Sequence, residues 1–197
     1  TFFSALPILV CPGATVQFKD SSSGYNLSYN WSFGDGNNSA QINPSHIYSG
    51  ADSVYSVKLV ITDNSGCKDS LTRINYITTR KPKPSFAIQD TSSICPPLET
   101  KFTFQGLDYE SFYWDFGDGT ISTLPNPTHF YNSYGNFTAK LYLSGYGGCV
   151  DSASAEVNVY NPYAYSSLIF GPVTACNSLL VDLSITTPPS TRFTFYG

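Results

Sequence analysis

Apolar and polar residues alternate in short runs along this chain, and clusters of Gly, Pro, Asn, Asp and Ser separate the runs. Between 54 and 62, Tyr55, Val57, Leu59 and Ile61 occupy every second position. A period of two sends successive side chains to opposite faces of a strand, so one face is buried and the other wet. The same reading places strands at 2–9, 14–20, 27–33, 45–48, 54–62 and 68–78, with a short edge strand after residue 36. A second set follows at 84–90, 98–106, 111–117, 128–131, 136–144 and 150–160, again with a short edge strand. Tyr29, Trp31 and Phe33 then face Tyr55, Val57, Leu59 and Ile61. In the second set Phe112, Trp114 and Phe116 face Phe137, Ala139, Leu141 and Leu143.

The two sets are copies. Asn30-Trp31-Ser32-Phe33-Gly34-Asp35-Gly36 returns as Tyr113-Trp114-Asp115-Phe116-Gly117-Asp118-Gly119, and Asn43-Pro44-Ser45-His46-Ile47-Tyr48 returns as Asn126-Pro127-Thr128-His129-Phe130-Tyr131. Gly66-Cys67-Lys68-Asp69-Ser70 returns as Gly148-Cys149-Val150-Asp151-Ser152. Three coincident blocks define a repeat. Cys11, Cys95 and Cys176 each open a copy, followed by Ala14, Val16 and Phe18, by Leu98, Thr100 and Phe102, or by Leu179, Val181 and Leu183. The organisation expected is repeat 1 at 1–80, repeat 2 at 81–160, and the N-terminal part of an incomplete third repeat at 161–197. Seven short strands per repeat predict an all-β fold of tandem immunoglobulin- or fibronectin-like sandwiches.

Composition narrows the function. Charged residues make up 12% and the formal net charge is −4, which leaves no basic footprint for nucleic acid. No run of apolar residues is long enough for a membrane-spanning helix, and no leader pattern opens the chain. With no Met anywhere, initiating or otherwise, the sequence reads as a fragment of something longer. His46 and His129 are the only histidines, and two equivalent copies without a converging nucleophile read as packing residues rather than catalytic bases. Asp35 and Asp118 in Gly-Asp-Gly read as turn residues that bond their own backbone; the competing reading, a calcium ligand, lacks further acids at ligand spacing in the first copy. No catalytic residue, metal site or cofactor is expected. The five cysteines contain no Cys-x-x-Cys pair, so zinc and dithiol redox sites fall away, and two cysteines per repeat in a charge-poor chain point to disulfides and an oxidising compartment. Pairing within a repeat, Cys11 to Cys67 and Cys95 to Cys149, is the simplest connectivity.

Trp-x-Phe-Gly-Asp-Gly, then Asn-Pro-x-His-x-Tyr, then an alternating strand ending near Gly-Cys, resembles the PKD (polycystic kidney disease) domain across residues 1 to about 160, and weakly beyond. The added Cys before the second strand and the Gly-Cys-x-Asp-Ser block resemble PKD repeats of large Bacteroidetes surface proteins, including gliding-motility adhesins. The core motif of such a repeat would be Trp31, Phe33 and Asp35, and Trp114, Phe116 and Asp118. If strand directions follow the family, Cys11 and Cys67 lie at opposite ends of one sandwich. The resemblance therefore favours Cys11 to Cys149 across the repeat boundary, with Cys67 and Cys95 held for neighbouring repeats and Cys176 unpaired; the in-repeat pairs stay as the alternative. Asp-Ser-aliphatic tripeptides mark Ser53, Ser70 and Ser152 as O-glycosylation candidates, against an ordinary exposed strand start. Tyr113 and Tyr142, with Val60, lie on an outward face that would either hold a sugar ring or a neighbouring chain, or simply stabilise the sheet.

The function implied is a non-catalytic structural segment of an extracellular bacterial protein, surface-bound or secreted, extending and spacing a functional tip. Its partners would be neighbouring repeats of the same chain, other surface proteins or polysaccharide. The alternatives are a carbohydrate- or protein-binding module and an accessory spacer of a secreted hydrolase. Stiffness is expected from the proline-containing linker at 78–84.

Overall fold

A computed structural model describes residues 1–161. The expectations for Cys176, for Leu179, Val181 and Leu183, and for a third repeat fall outside them.

The first repeat comprises β1 (Phe3–Leu6), β2 (Leu9–Val10), β3 (Thr15–Asp20), β4 (Ser28–Ser32), β5 (Asn38–Ser39), β6 (Ser45–Ile47), β7 (Val54–Thr62) and β8 (Lys68–Thr79). These form two sheets, in the orders β1-β3-β6 and β2-β8-β7-β4-β5. The second repeat comprises β9 (Phe86–Gln89), β10 (Ser92–Ser93), β11 (Leu98–Phe104), β12 (Ser111–Asp115), β13 (Ile121–Ser122), β14 (Thr128–Tyr131), β15 (Gly135–Ser144) and β16 (Val150–Val159). Its sheets repeat the orders as β9-β11-β14 and β10-β16-β15-β12-β13. The fold is all-β, and among the described residues there is no helix.

One strand in each repeat differs from its expected form. Residues 2–9 and 84–90 read as continuous strands, but each breaks in two and changes sheet. β1 pairs antiparallel with β3, whereas β2 pairs parallel with the end of β8, Leu9 opposite Thr78 and Val10 opposite Thr79. Pro7 intervenes, and a residue with no N–H cannot continue a ladder. In the second repeat the switch passes through Asp90 at φ 60°, after which Ser92 and Ser93 pair parallel with Asn158 and Val159. Each repeat therefore has eight strands rather than seven.

Alternation fills the space between the sheets. Val16 and Phe18 from β3, Trp31 from β4, and Val57, Leu59 and Ile61 from β7 are all buried. Phe102, Trp114, Leu141 and Leu143 do the same in the second core. Trp31 and Trp114 have no exposed surface. Phe3 meets the first indole edge-on at 5.0 Å and Phe86 the second at 5.1 Å. Each indole nitrogen needs a partner inside an apolar core; Trp31 Nε1 donates to the Gln41 carbonyl at 2.8 Å, and Trp114 Nε1 to the Leu124 carbonyl at 2.9 Å. The loop after each short edge strand is thereby tied to the core.

The glycine that follows Phe33 or Phe116 is required twice over. Gly34 and Gly117 have φ of +86° and +79°, and a Cβ there would lie 2.4 Å from the Ser56 carbonyl oxygen or 2.7 Å from that of Thr138. The backbone of the neighbouring strand leaves no room for a side chain, which accounts for the first Gly of Gly-Asp-Gly.

Trp114→Ala empties the centre of the second core, and truncating a buried Trp costs about 3 to 5 kcal/mol. Hydrogen exchange should show residues 86–159 opening while the β3, β4 and β7 amides of the first repeat keep their protection. Equal loss in both repeats would show that they fold as one cooperative unit.

Candidate functional site

The recurrent motif residues converge on one cluster per repeat. His46 on β6 stacks on Phe33, centroids 4.2 Å apart and planes 5° from parallel, and stands at right angles to Tyr48 at 4.6 Å. Its Nε2 lies 2.7 Å from Asp35 Oδ2. An ionised carboxylate only accepts, so Nε2 is the nitrogen that carries the proton. Asp35 also accepts from the Asn37 backbone N–H at 3.1 Å and side-chain amide at 3.0 Å, and the Tyr48 hydroxyl donates to the Phe33 carbonyl at 3.1 Å. Asp118, His129, Phe116 and Tyr131 reproduce the arrangement, with His129 Nε2 2.7 Å from Asp118 Oδ2 and 4.1 Å between the His129 and Phe116 rings. Asp35 and Asp118 thus bond their own turns and also hold the histidines. The sequence reading treated Asp and His separately; the signal that joins them is their common separation of 11 residues in both copies.

Burial alone would raise the Asp35 carboxyl, but the hydrogen bonds from His46 and Asn37 outweigh it and hold the group below the usual carboxylate range. Asp118 is lowered in the same way, burial being offset by bonds from Thr120 and His129. Burial raises the Tyr48 and Tyr131 hydroxyls. With one nitrogen committed to a carboxylate and the ring against two aromatics, each imidazole is a clamp between sheets. Among the described residues no group of three His, Cys, Asp or Glu side chains is placed to hold a metal ion.

The second concentration of chemistry lies where the repeats meet. Cys11 and Cys149 form a disulfide, Cα atoms 5.9 Å apart. This is the pairing across the repeat boundary, and the strand switch explains it. Because β2 runs parallel to β8, the chain leaves Val10 beside the linker, and Arg80 N–H donates to the Val10 carbonyl at 2.9 Å. The turn joining β15 to β16 comes back from the second repeat, where the Tyr146 carbonyl accepts from Cys11 N–H and the Cys149 N–H points at Cys11 Sγ. Cys67 sits at the far end of β8, a strand of 12 residues, which at ~3.3 Å each is roughly 40 Å away. Cys67 is free and exposed. Cys95 is disulfide-bonded as well.

Charge surrounds the disulfide. Lys83 Nζ lies 2.9 Å from Asp52 and 3.2 Å from Asp108, and Lys81 Nζ 3.0 Å from Asp151. Asp52 is positioned by Thr79, buried at the end of β8, whose hydroxyl donates to the Gly50 carbonyl at 2.6 Å and accepts from Ser53 N–H at 3.0 Å. The Lys83 ammonium draws the Asp52 carboxyl below its ordinary range, Lys81 does the same to Asp151, and Asp52 with Asp108 raises Lys83. The linker is further fixed by Lys83 and Leu107, each donating its N–H to the other's carbonyl at 2.9 and 3.1 Å. Pro82 is buried against Gly145, where an added Cβ would come within 2.7 Å of Pro82 Cγ. The Lys83–Asp52 pair was not legible as a site, because it exists only once the two repeats are side by side; Lys83–Asp108 and Lys81–Asp151 fix the linker to the second repeat.

The remaining candidates lie apart. Tyr113 and Tyr142 are opposite each other in the register of β12 and β15 and stack at 4.8 Å with planes 13° apart, Tyr113 being 43% exposed. Ser70 and Ser152 are exposed, whereas Ser53 is half-buried and its hydroxyl donates to the Ala51 carbonyl at 2.9 Å. Two of the three Asp-Ser tripeptides therefore place their Asp, 52 and 151, in the joint.

Each repeat is an immunoglobulin-like β-sandwich with its first strand shared between sheets. The PKD domain model matches residues 5–79 and again 81–159, and the chain belongs to the PKD domain family. It is 34% identical over 86 residues to collagenase ColA of Bacillus cereus and 29% identical over 84 residues to collagenase ColA of Clostridium perfringens. These stretches cover 43% and 39% of the chain but only 9% and 7% of the two enzymes. Among solved structures, the PKD1 domain of the Vibrio cholerae metalloprotease PrtV is similar at 23% identity and TM-score 0.35, over 41% of this chain and 98% of that one. The PKD1 domain of Vibrio anguillarum Epp is similar at 22% and TM-score 0.34, over 41% and 95%.

Two outcomes follow. Asp35 and Asp118 titrate lower in the fold than in the unfolded chain, so their stabilisation is complete above about pH 4 and is lost as pH falls through the depressed values. Asp35→Asn with Asp118→Asn should flatten the acid limb of stability measured by urea titration; an unchanged limb would assign acid sensitivity to other carboxylates. For the joint, Cys11→Ser with Cys149→Ser should leave both repeats folded but make inter-repeat order salt-dependent, since at 1 M salt the Debye length is ~3 Å. Small-angle scattering should broaden with salt in the variant and stay constant in the parent chain; equal insensitivity would mean that apolar contact alone holds the joint.

Proposed function

We propose that this chain is a non-catalytic, rigid spacer segment of an extracellular bacterial protein, holding a functional part of that protein away from its point of origin. The observation that carries this reading is the joint. A linker alone would leave two small domains free to reorient, because polar interfaces of modest area permit motion. Here a disulfide, the Cys11 N–H on the Tyr146 carbonyl and the Lys83–Asp52 pair cross from one repeat to the other, while Lys81 on Asp151, Lys83 on Asp108 and the buried Pro82 fix the linker to the second repeat. A disulfide also suits an oxidising, extracellular setting. The likeness to short stretches of two much longer collagenases supports a placement beside other domains. The wider setting inferred is a surface adhesin or fibre, including the gliding-motility kind.

A second reading, a polysaccharide- or protein-binding module, is favoured by the exposed Tyr113–Tyr142 stack. An accessory spacer of a secreted hydrolase is the version favoured by the likeness to collagenase.

Pulsed dipolar spectroscopy between spin labels on Thr72→Cys and Ser154→Cys, with Cys67→Ser, should give one narrow distance distribution. A broad one would overturn the rigid spacer. Retention on a polysaccharide column that is lost in Tyr113→Ala would move the reading to the binding module, and turnover of protease or glycosidase substrates abolished by His46→Ala would refute a non-catalytic chain.

A further inference from the structure

Cys67 and Cys149 occupy the same place in their repeats and close the same turn. In one, Asp63 N–H donates to the Cys67 carbonyl and Gly66 N–H to the Asp63 carbonyl, each at 3.0 Å. In the other, Gly145 N–H donates to the Cys149 carbonyl at 2.7 Å and Gly148 N–H to the Gly145 carbonyl at 3.0 Å. The glycine before each cysteine is left-handed, with φ of +85° and +90°. The turns differ in what covers them. Cys149 is half-buried under the Cys11 loop and bonded to it, while Cys67 is exposed and free beside an open hollow of about 520 Å³, lined by Tyr25, Leu27, Asp63 and Asp69 among others. Asp69 stands where Asp151 stands in the second repeat, the carboxylate that takes Lys81 of the incoming linker; here it accepts from the Thr1 ammonium and hydroxyl, so the chain that leads into the first strand already lies on it.

We infer that the β7–β8 turn is a docking face for another repeat of this kind, whose loop following its first strand carries a cysteine that bonds to Cys67, the two thiols passing two electrons and two protons to a small-molecule disulfide that is reduced to two thiols. The inference rests on the reading of the joint as a stapled connection and extends it to the opposite end of the first repeat. The interface already made by the same turn in the second repeat supplies the template: a cysteine-bearing loop over the thiol, and a basic linker residue on the Asp.

One substitution restricts the partner. Asp63 replaces Gly145, and its carboxylate accepts from Ser65 N–H at 2.8 Å and Cys67 N–H at 2.9 Å. At Gly145 an added Cβ would meet Pro82 of the linker. The linker that docks at Cys67 must therefore be smaller than Pro at that point, and a basic residue near it would face two carboxylates, Asp63 and Asp69. The partner is a PKD repeat with a small, basic linker.

The test joins a second copy of residues 1–83, with Cys67→Ser in that added copy, directly ahead of Thr1 of the full chain. Three versions are compared: the linker as it stands, Pro82→Gly in the added copy, and Asp63→Gly in the original. After refolding in a glutathione buffer, non-reducing peptide mapping and thiol alkylation read the outcome. In the Pro82→Gly and Asp63→Gly versions the Cys67 thiol should disappear and a Cys11–Cys67 peptide from added copy to original should be recovered. The version with Pro82 and Asp63 both present should retain at least tenfold more alkylatable Cys67. If Cys67 stays fully alkylatable in all three while Cys11 and Cys149 of the original still pair, the inference fails and the reading of the joint stands. If that original pair does not form either, both fail.

Discussion

The joint depends on a change of sheet by the first strand. Had residues 2–9 continued along β3, the chain would have reached Cys11 on the far sheet, away from the end of β8. Pro7 ends the first ladder, and Leu9 and Val10 then run alongside Thr78 and Thr79 in the same direction. Two pieces of chain nearly 70 residues apart in sequence leave the sandwich side by side, one carrying Cys11 and the other the linker. The ladder supplies the direction, and the disulfide and lysines use it. The strand that closes the sandwich edge is thus also the element that aims the connection.

Within each sandwich, polar chemistry does structural work near an aromatic core. Imidazole, carboxylate and phenol are arranged so that each finds a partner, and among the described residues no buried side-chain nitrogen or oxygen lacks one. Such a cluster is worth most when complete, because removing one member leaves the next desolvated and unpaired. The Asp-His pair stacked against Phe and Tyr recurs at equivalent positions, so in both repeats it ties the Gly-Asp-Gly turn to the opposite sheet.

Much of this was visible in the residues. Alternation located the strands, and the duplicated Trp-x-Phe-Gly-Asp-Gly block located the core, because burial imposes a period of two wherever a strand has one wet face. The split of the first strand was not visible: Leu9 and Val10 contribute only two residues of ladder, too few to carry a period. The Asp35–His46 contact was encoded as a recurring separation, yet nothing local specifies that two side chains 11 residues apart meet across a sheet edge. The ion pairs of the joint lay further out of reach, since Lys83 and Asp52 become neighbours only through the packing of one domain on another. Asp52 and Asp151 had drawn notice as parts of Asp-Ser tripeptides, for a different reason.

The position of the Cys11–Cys149 bond has a consequence for a chain drawn taut between its ends. The bond spans 138 residues, so tension entering at the first strand crosses two sulfur atoms and leaves by β16, bypassing the linker, both tryptophan cores and every ladder built without β1, β2 or β16. At ~3.3 to 3.6 Å per residue, about 450 to 500 Å of backbone is held out of the path. Extension of this segment is then limited by covalent chemistry instead of by the strength of the sheets held inside the bond, and a reductant that opened it would bring the first repeat's ladders under load.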